Sequence, residues 1–268
     1  MWRIQDSGDE SITLYLAEQP SEAVLRQIGH LLVYLRRSLG EFLTDLVPSY
    51  CSITLYYDLL RCDRQFIIAR LTSLMEAFEA QVAIADAEAG SGIAGAAEAD
   101  SRTGRAIELP VYYGSEVAPD LQRVAEFAGL STEEVIRLHG EARFRVYALG
   151  FRPGFAYMGE TPEQLRAPRL DTPRRRVPRG AVAIAGAQAA VYPCASPGGW
   201  NLIGLCPLAL FDAQKKPPQV LLQVGDRVRF KRIDRDTFLK LGGELDGGLG
   251  SEQGKEQGKE QGKEVLDD

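Results

Sequence analysis

The chain has 268 residues, 45% of them hydrophobic and 25% charged, with a formal net charge of −6. This is the composition of a globular protein long enough for two cores, and its acidic balance argues against nucleic acid or an anionic membrane as partner. No apolar run approaches the roughly 20 residues of a membrane helix. The opening "MWRIQDSGDESI" lacks the apolar stretch of a signal peptide, so a cytoplasmic protein with no membrane role is expected. Cys51, Cys62, Cys194 and Cys206 form no CxxC pair, and His30 and His139 are the only histidines. Free thiols are expected, with no metal cluster and no organic cofactor.

In chain order, "SITLYL" (11–16) predicts a strand. Residues 21–39 predict a helix, with Leu25, Ile28, Leu31, Leu32, Leu35 and Leu39 at helical spacing and Ser21 as N-cap. Residues 42–58 predict two strands broken near Pro48 and Ser49, and 63–80 a second helix through Phe66, Ile67, Leu71, Leu74, Met75 and Phe78. Together they outline a small α+β sandwich over residues 1–82. Residues 83–104, rich in Ala, Gly, Ser and Glu, predict a flexible linker. The linker contains Gly90-x-Gly92-x-x-Gly95, the spacing of a dinucleotide loop, but no hydrophobic strand precedes it and no amphipathic helix follows.

A second domain is expected over 105–240. It opens with the strand "IELPVYYG" (107–114), then helices over 120–127 and 131–139, the latter with Ser131 and Glu134 as a capping box. Strands follow at 143–150, 180–186, 189–193, 201–207, 219–225 and 226–233. Short strands at close spacing with Gly and Pro punctuation predict a closed or nearly closed β barrel with helices outside it. Residues 241–268 carry a GKEQ repeat without an apolar face and are expected to be disordered.

Three loops stand out. "GFRPGFAYMGE" (150–160) puts three glycines, a proline and three aromatics into eleven positions. "RAPRLDTPRRRVPRG" (166–180) is proline-rich and carries six arginines, and "YPCASPGGWNLIG" (192–204) adds an indole beside paired glycines. Loops on a rigid scaffold are where sites are built. Phe151 is expected to plug the barrel, while Pro153, Gly154, Phe155 and Tyr157 form a rigid bend lining a pocket with Gln188, Gly199 and Trp200. Gln188 has an amide that both donates and accepts, suited to a lactam; its alternative role is to tie down a loop. Trp200 is either a flat pocket wall or a core residue. Arg174, Arg175, Arg176 and Arg179 could grip phosphate or carboxylate, or form a solvated or subunit-facing surface. His139 is either an acid/base group or a helix-end histidine that serves carbonyls and dipole. No G-x-x-x-x-G-K-[ST] phosphate loop occurs.

The succession "GFRPGFAYMG", "TPRRRVPRGAVAIAGAQAAVYP" and "SPGGWNLIG" closely resembles the family called PxpB, KipI or allophanate hydrolase subunit 1, which also forms part of the carboxyltransferase region of urea carboxylases. The N-terminal "VPSYCSITLYYD" is similar too, so the resemblance covers roughly residues 8–235 apart from the linker. It implies a ferredoxin-like N-terminal domain and a cyclophilin-like barrel. It also implies a B-type subunit of an ATP-dependent 5-oxoprolinase, opening 5-oxoproline to glutamate. The implied partners are a C-type (PxpC or KipA-like) subunit and an A-type subunit, with ATP used at the level of the complex. In that reading His139 and Gln188 are the catalytic candidates. The family motif Gly-Gly-Gln-Thr-Gly is replaced here by Gly186, Ala187, Gln188, Ala189 and Ala190, which removes the Thr hydroxyl. Some relatives inhibit a sensor histidine kinase, and that binding role without turnover is the alternative.

Overall fold

The computed structural model describes residues 2–89 and 104–245, which fall into two compact units, Met1–Arg105 and Ala106–Asp268. The dinucleotide-like glycines and the GKEQ repeat lie outside the described residues.

The first unit runs β1 (Arg3–Gly8), β2 (Ser11–Tyr15), α1 (Glu22–Leu39), β3 (Leu43–Ser49), β4 (Ser52–Tyr57) and α2 (Arg64–Ala89). The Ser21 hydroxyl accepts from the Val24 amide at 3.2 Å, starting α1. The Asp63 carboxylate accepts from Phe66 N at 2.8 Å and does the same for α2. Leu25, Ile28, Leu31, Leu35 and Leu39 of α1 are buried, as are Ile67, Leu71, Met75 and Phe78 of α2. All of these but Leu25 share one core with Ile53, Leu55 and Tyr57, the alternate residues of β4. The sheet order is β1-β2-β4-β3, every pair antiparallel. This is the ferredoxin-like arrangement with one permutation: the strand that would follow α2 in that fold is supplied by β1 at the front. The periodicity over 11–80 predicts the β-α-β-β-α series without β1, whose Arg, Gln, Asp and Ser carry no apolar alternation. Helix α2 continues to Ala89, into the segment expected as linker.

The second unit runs β5 (Ala106–Val111), α3 (Leu121–Ala128), α4 (Thr132–Glu141), β6 (Phe144–Leu149), β7 (Ala156–Gly159), a 3-10 turn (Glu163–Leu165), β8 (Arg174–Val177), β9 (Ala181–Ala185), β10 (Gln188–Val191), β11 (Ser196–Gly198), β12 (Asn201–Leu205), β13 (Phe211–Asp212), β14 (Gln219–Val220), β15 (Arg227–Arg232) and α5 (Arg235–Lys240). Seven strands pair in the order β12-β9-β10-β7-β6-β15-β5. The two ends meet where Tyr112 and Leu205 exchange backbone hydrogen bonds of 2.9 and 2.8 Å, which nearly closes the barrel. Short antiparallel ribbons, β8 with β11 and β13 with β14, lie beside it. The capping box forms as the sequence predicts: Ser131 Oγ accepts from Glu134 N and the Glu134 carboxylate from Ser131 N.

One face of the seven strands, with α3 and α4, builds a core that includes Leu109, Phe144, Val146, Val182, Ile184, Val191, Ile203 and Phe230. The opposite face of β9, β10 and β12 carries Ala181, Ala183, Ala185, Ala190 and Leu202, and packs a second core around Phe155, Tyr192, Trp200 and Phe238. The strand expected over 219–225 is confined to Gln219–Val220. The chain turns instead at Gln223, whose amide donates to the Asp226 carboxylate at 2.8 Å while its carbonyl accepts from Asp226 N at 3.1 Å.

Candidate functional site

The bend at 150–155 joins β6 to β7. Phe155 N donates to Arg152 O at 2.9 Å and Gly150 N to Phe155 O at 3.2 Å. Gly154 adopts φ +83, and a Cβ there would stand 2.8 Å from Phe211 Cβ, so the bend requires glycine. Phe151 corrects one expectation. It does not plug the barrel: it adopts φ 66 and its side chain is 56% exposed. A left-handed backbone is unusual for a bulky residue, and here it accompanies a ring turned outward. Phe155, 2% exposed, is the buried ring instead.

Phe155 is the hub of an aromatic platform. Its ring centroid lies 5.3 Å from Phe151, 4.9 Å from Tyr157, 5.3 Å from Tyr192 and 5.9 Å from Trp200, each nearly edge-to-face. Tyr157 and Trp200 are 6.1 Å apart. The platform lies on the alanine face of the sheet, where small side chains leave room for rings. Strand alternation puts Gln188 on that same face: Ala189 belongs to the first core and Ala190 to the second. Gln188 is half-buried and sits across from Ala185 at the mouth of the β9–β10 hairpin. The guanidinium of Arg169 lies 5.6 Å above the Trp200 ring, a cation–π contact. Burial pushes the pKa of the Tyr192 phenol up to about 12, with Arg169 and Arg174 opposing the shift. Gly198 lets that phenol approach, since a Cβ there would collide with the Tyr192 hydroxyl.

The loops bearing these rings are held by groups that no motif in the sequence pointed out. Buried Asp120 accepts from Arg174 Nη2 at 2.8 Å and from Leu202 N at 2.7 Å. Fully buried Asn201 donates to the carbonyls of Pro168, at 2.9 Å, and Ile184, at 3.1 Å, while its Oδ1 accepts from Arg123. These bonds tie the 166–174 segment and the start of α3 to β12, fixing Trp200 and Arg169 over the sheet. Arg169 is likewise not singled out by the sequence: nothing in its spacing separates it from the other arginines of the loop.

The sequence-predicted residues divide into three groups. Phe155, Tyr157, Trp200 and Gln188 share the platform face, with Gly154 shaping the bend and Gly199 passing close to Pro173. Pro153 is exposed at the tip of the bend. The arginines separate. Arg174 is tied to Asp120; Arg175 is exposed; Arg176 and Arg179 line a cavity of about 130 Å³ beside Cys206 and Phe238. His139 lies apart, fully buried among Phe144 and Phe230, its ring stacked 4.4 Å from Phe230 and its Nδ1 hydrogen-bonded to the Tyr113 hydroxyl at 2.8 Å. Burial depresses its pKa to about 3, so it is neutral at ordinary pH and packs as a core ring. Neither helix carbonyls nor acid/base exchange with solvent accounts for that position.

In chain order, a ferredoxin-like unit is followed by a nearly closed barrel with an aromatic platform on one sheet face. Residues 2–221 match the family model described as carboxyltransferase domain, subdomain C and D. The chain belongs to the family of B-type 5-oxoprolinase subunits. It is 36% identical over 237 residues to the B-type subunit of the 5-oxoprolinase of Bacillus subtilis (strain 168), covering 88% of this chain and 95% of that one. It is 52% identical over 126 residues to the B-type 5-oxoprolinase subunit of Escherichia coli O157:H7, a match that spans 57% of that protein. The crystal structure of TTHA0988 aligns with a TM-score of 0.66 and 38% identity, covering 84% of this chain but only 39% of the other. The Kluyveromyces lactis urea carboxylase, at 17% identity and a TM-score of 0.65 over 89% of this chain and 22% of its own, shares the fold.

Proposed function

We propose that this chain is the B-type subunit of an ATP-dependent 5-oxoprolinase and contributes its aromatic platform to a lactam site shared with a C-type subunit. The observation that carries the reading is the correspondence with the B-type 5-oxoprolinase subunit of Bacillus subtilis over 95% of that protein's length. The platform supports it chemically. 5-Oxoproline is a small lactam bearing a carboxylate. The Arg169 guanidinium takes the carboxylate, half-buried Tyr157 covers the ring with Trp200 packed behind it, and the Gln188 amide pairs with the lactam N–H and carbonyl. Ring opening adds water across the C–N bond, and ATP cleavage in the assembled complex makes the carbonyl electrophilic. The A-type subunit completes the reaction. The exposed Phe151, Arg175 and Arg179 belong to the surface offered to the partner.

The test is co-purification with the C-type subunit, addition of the A-type subunit, and an assay of 5-oxoproline-dependent ADP release. Gln188→Ala is expected to raise KM by about five- to 150-fold, the loss of two neutral hydrogen bonds at about 0.5–1.5 kcal/mol each, with the fold intact. A lone chain that opens 5-oxoproline with ATP at the full rate would refute the shared site. Binding to a sensor kinase without any such turnover would favour the inhibitory role.

A further inference from the structure

The outward face of β15 carries a cluster of arginines that the platform does not use. Val228 and Phe230 are buried, so alternation turns Arg227 and Arg229 to the other side of the strand. Parallel pairing sets Arg227 beside Ala106 and Arg229 beside Glu108 of β5. Arg143, immediately before β6, joins them around a cavity of about 430 Å³; Ile107 at its edge pairs with Val228 and packs against the core. Among the described residues lining it, Glu108 is the single carboxylate, and Lys231 Nζ already engages it at 2.9 Å. Arg229 gives only its Nε, to Gly140 O at 3.1 Å. The side chains of Arg143 and Arg227 have no hydrogen-bond or ion-pair partner among the described residues.

Three guanidiniums gathered around one concavity repel one another, and a bound anion relieves that repulsion while using their planar donor forks. The volume falls within the range of small-molecule sites, about 300–1,000 Å³, and exceeds what an inorganic ion fills. A concavity of this size favours a compact ligand over an acidic protein face. We propose that this cavity binds a small organic dianion, a phosphate monoester or a dicarboxylate. Arg143, Arg227 and Arg229 hold the anionic oxygens, and the aliphatic stems of these arginines meet the carbon portion. The site is separate from the aromatic platform and does not depend on the lactam reading.

Calorimetric titration of the purified full chain at constant ionic strength tests it with three probes: inorganic phosphate, glycerol 3-phosphate and glutarate. Saturable one-to-one binding is expected for glycerol 3-phosphate or glutarate, and whichever binds tighter identifies the anionic group. Arg227→Gln and Arg143→Gln should each raise Kd about tenfold, as the loss of one charge-assisted contact implies. Unfolding of the ligand-free protein should be no easier than in the parent, since neither side chain holds another group and each loss relieves repulsion. Glu108→Gln should lower Kd by removing the opposing carboxylate. The proposal falls if none of the probes binds saturably, or if both arginine variants retain the parent Kd. It also falls if inorganic phosphate binds as tightly as the organic anions, or if the signal follows ionic strength alone.

Discussion

Strands β9, β10 and β12 present two unlike faces. One offers Val182, Ile184, Val191 and Ile203, branched side chains that fill their own space against helices α3 and α4. The other offers Ala181, Ala183, Ala185 and Ala190, which fill little, and its volume comes from Phe155, Tyr192 and Trp200 on the loops. The first face is made by regular elements. The second is made by loops and by Phe238 of α5, so its ring cluster exists only while those loops are fixed, which explains the buried bonds of Asp120 and Asn201. A face completed by loops can also carry polar groups at its rim, such as Arg169 and Gln188, that a helix-covered face would bury.

The largest expected break in this comparison is Trp200→Ala. The indole is 5% exposed and touches both Phe155 and Tyr157, so its removal should cost about 3–5 kcal/mol in urea unfolding. Ile203→Val on the helix-covered face should cost only about 0.5–1.5 kcal/mol. Equal small losses would show that Trp200 is not a covering ring.

Ala183→Leu sharpens the point from the other direction. Ala183 is fully buried beneath the rings, and overpacking there should cost about 1–3 kcal/mol. It should also displace Trp200, read as a shift in its fluorescence. An unperturbed spectrum with parent stability would mean that the alanine face has spare room.

The helix-covered core carries the pH dependence. The folded His139 pKa is lowered to about 3 from an ordinary 6.5, so between these values the unfolded state binds the extra proton. Stability is complete above the unfolded pKa and is lost as pH falls, by about 1.4 kcal/mol per unit. At pH 5 the urea midpoint should drop by the equivalent of about 2 kcal/mol, and His139→Phe should flatten that limb. An acid limb identical in the two proteins would remove His139 from the account.

The smallest effect on the fold is expected from Phe151→Gly. The ring is largely exposed and φ is 66, so stability should change by no more than about 0.5–1 kcal/mol, in either direction. Affinity for the C-type subunit, measured by titration, should fall nonetheless. Unchanged affinity would show that the exposed ring is not part of the partner surface.

Local periodicity and capping chemistry made most elements legible. Ser21, Ser131 and Glu134 set helix starts, and the 3.6-residue apolar spacing of α1 and the alternation of β4 set faces, because these signals act over a few residues. Strand β1 was not legible: it is polar, and it is recruited by pairing with β2. Ribbons β8 and β11 were hidden for the same reason, their Arg and Pro content reading as loop. Three long motifs grouped Phe155, Tyr157, Gln188 and Trp200; the three rings pack together, and strand alternation sets Gln188 on the same sheet face. What only the tertiary structure decided was orientation. Whether Phe151 or Phe155 turned inward depended on a left-handed backbone at one residue, and His139 entered the core because Tyr113, Phe144 and Phe230, brought together from separate elements, converge on its ring. Contacts between distant segments have no local periodicity, so nothing in the order of residues announces them.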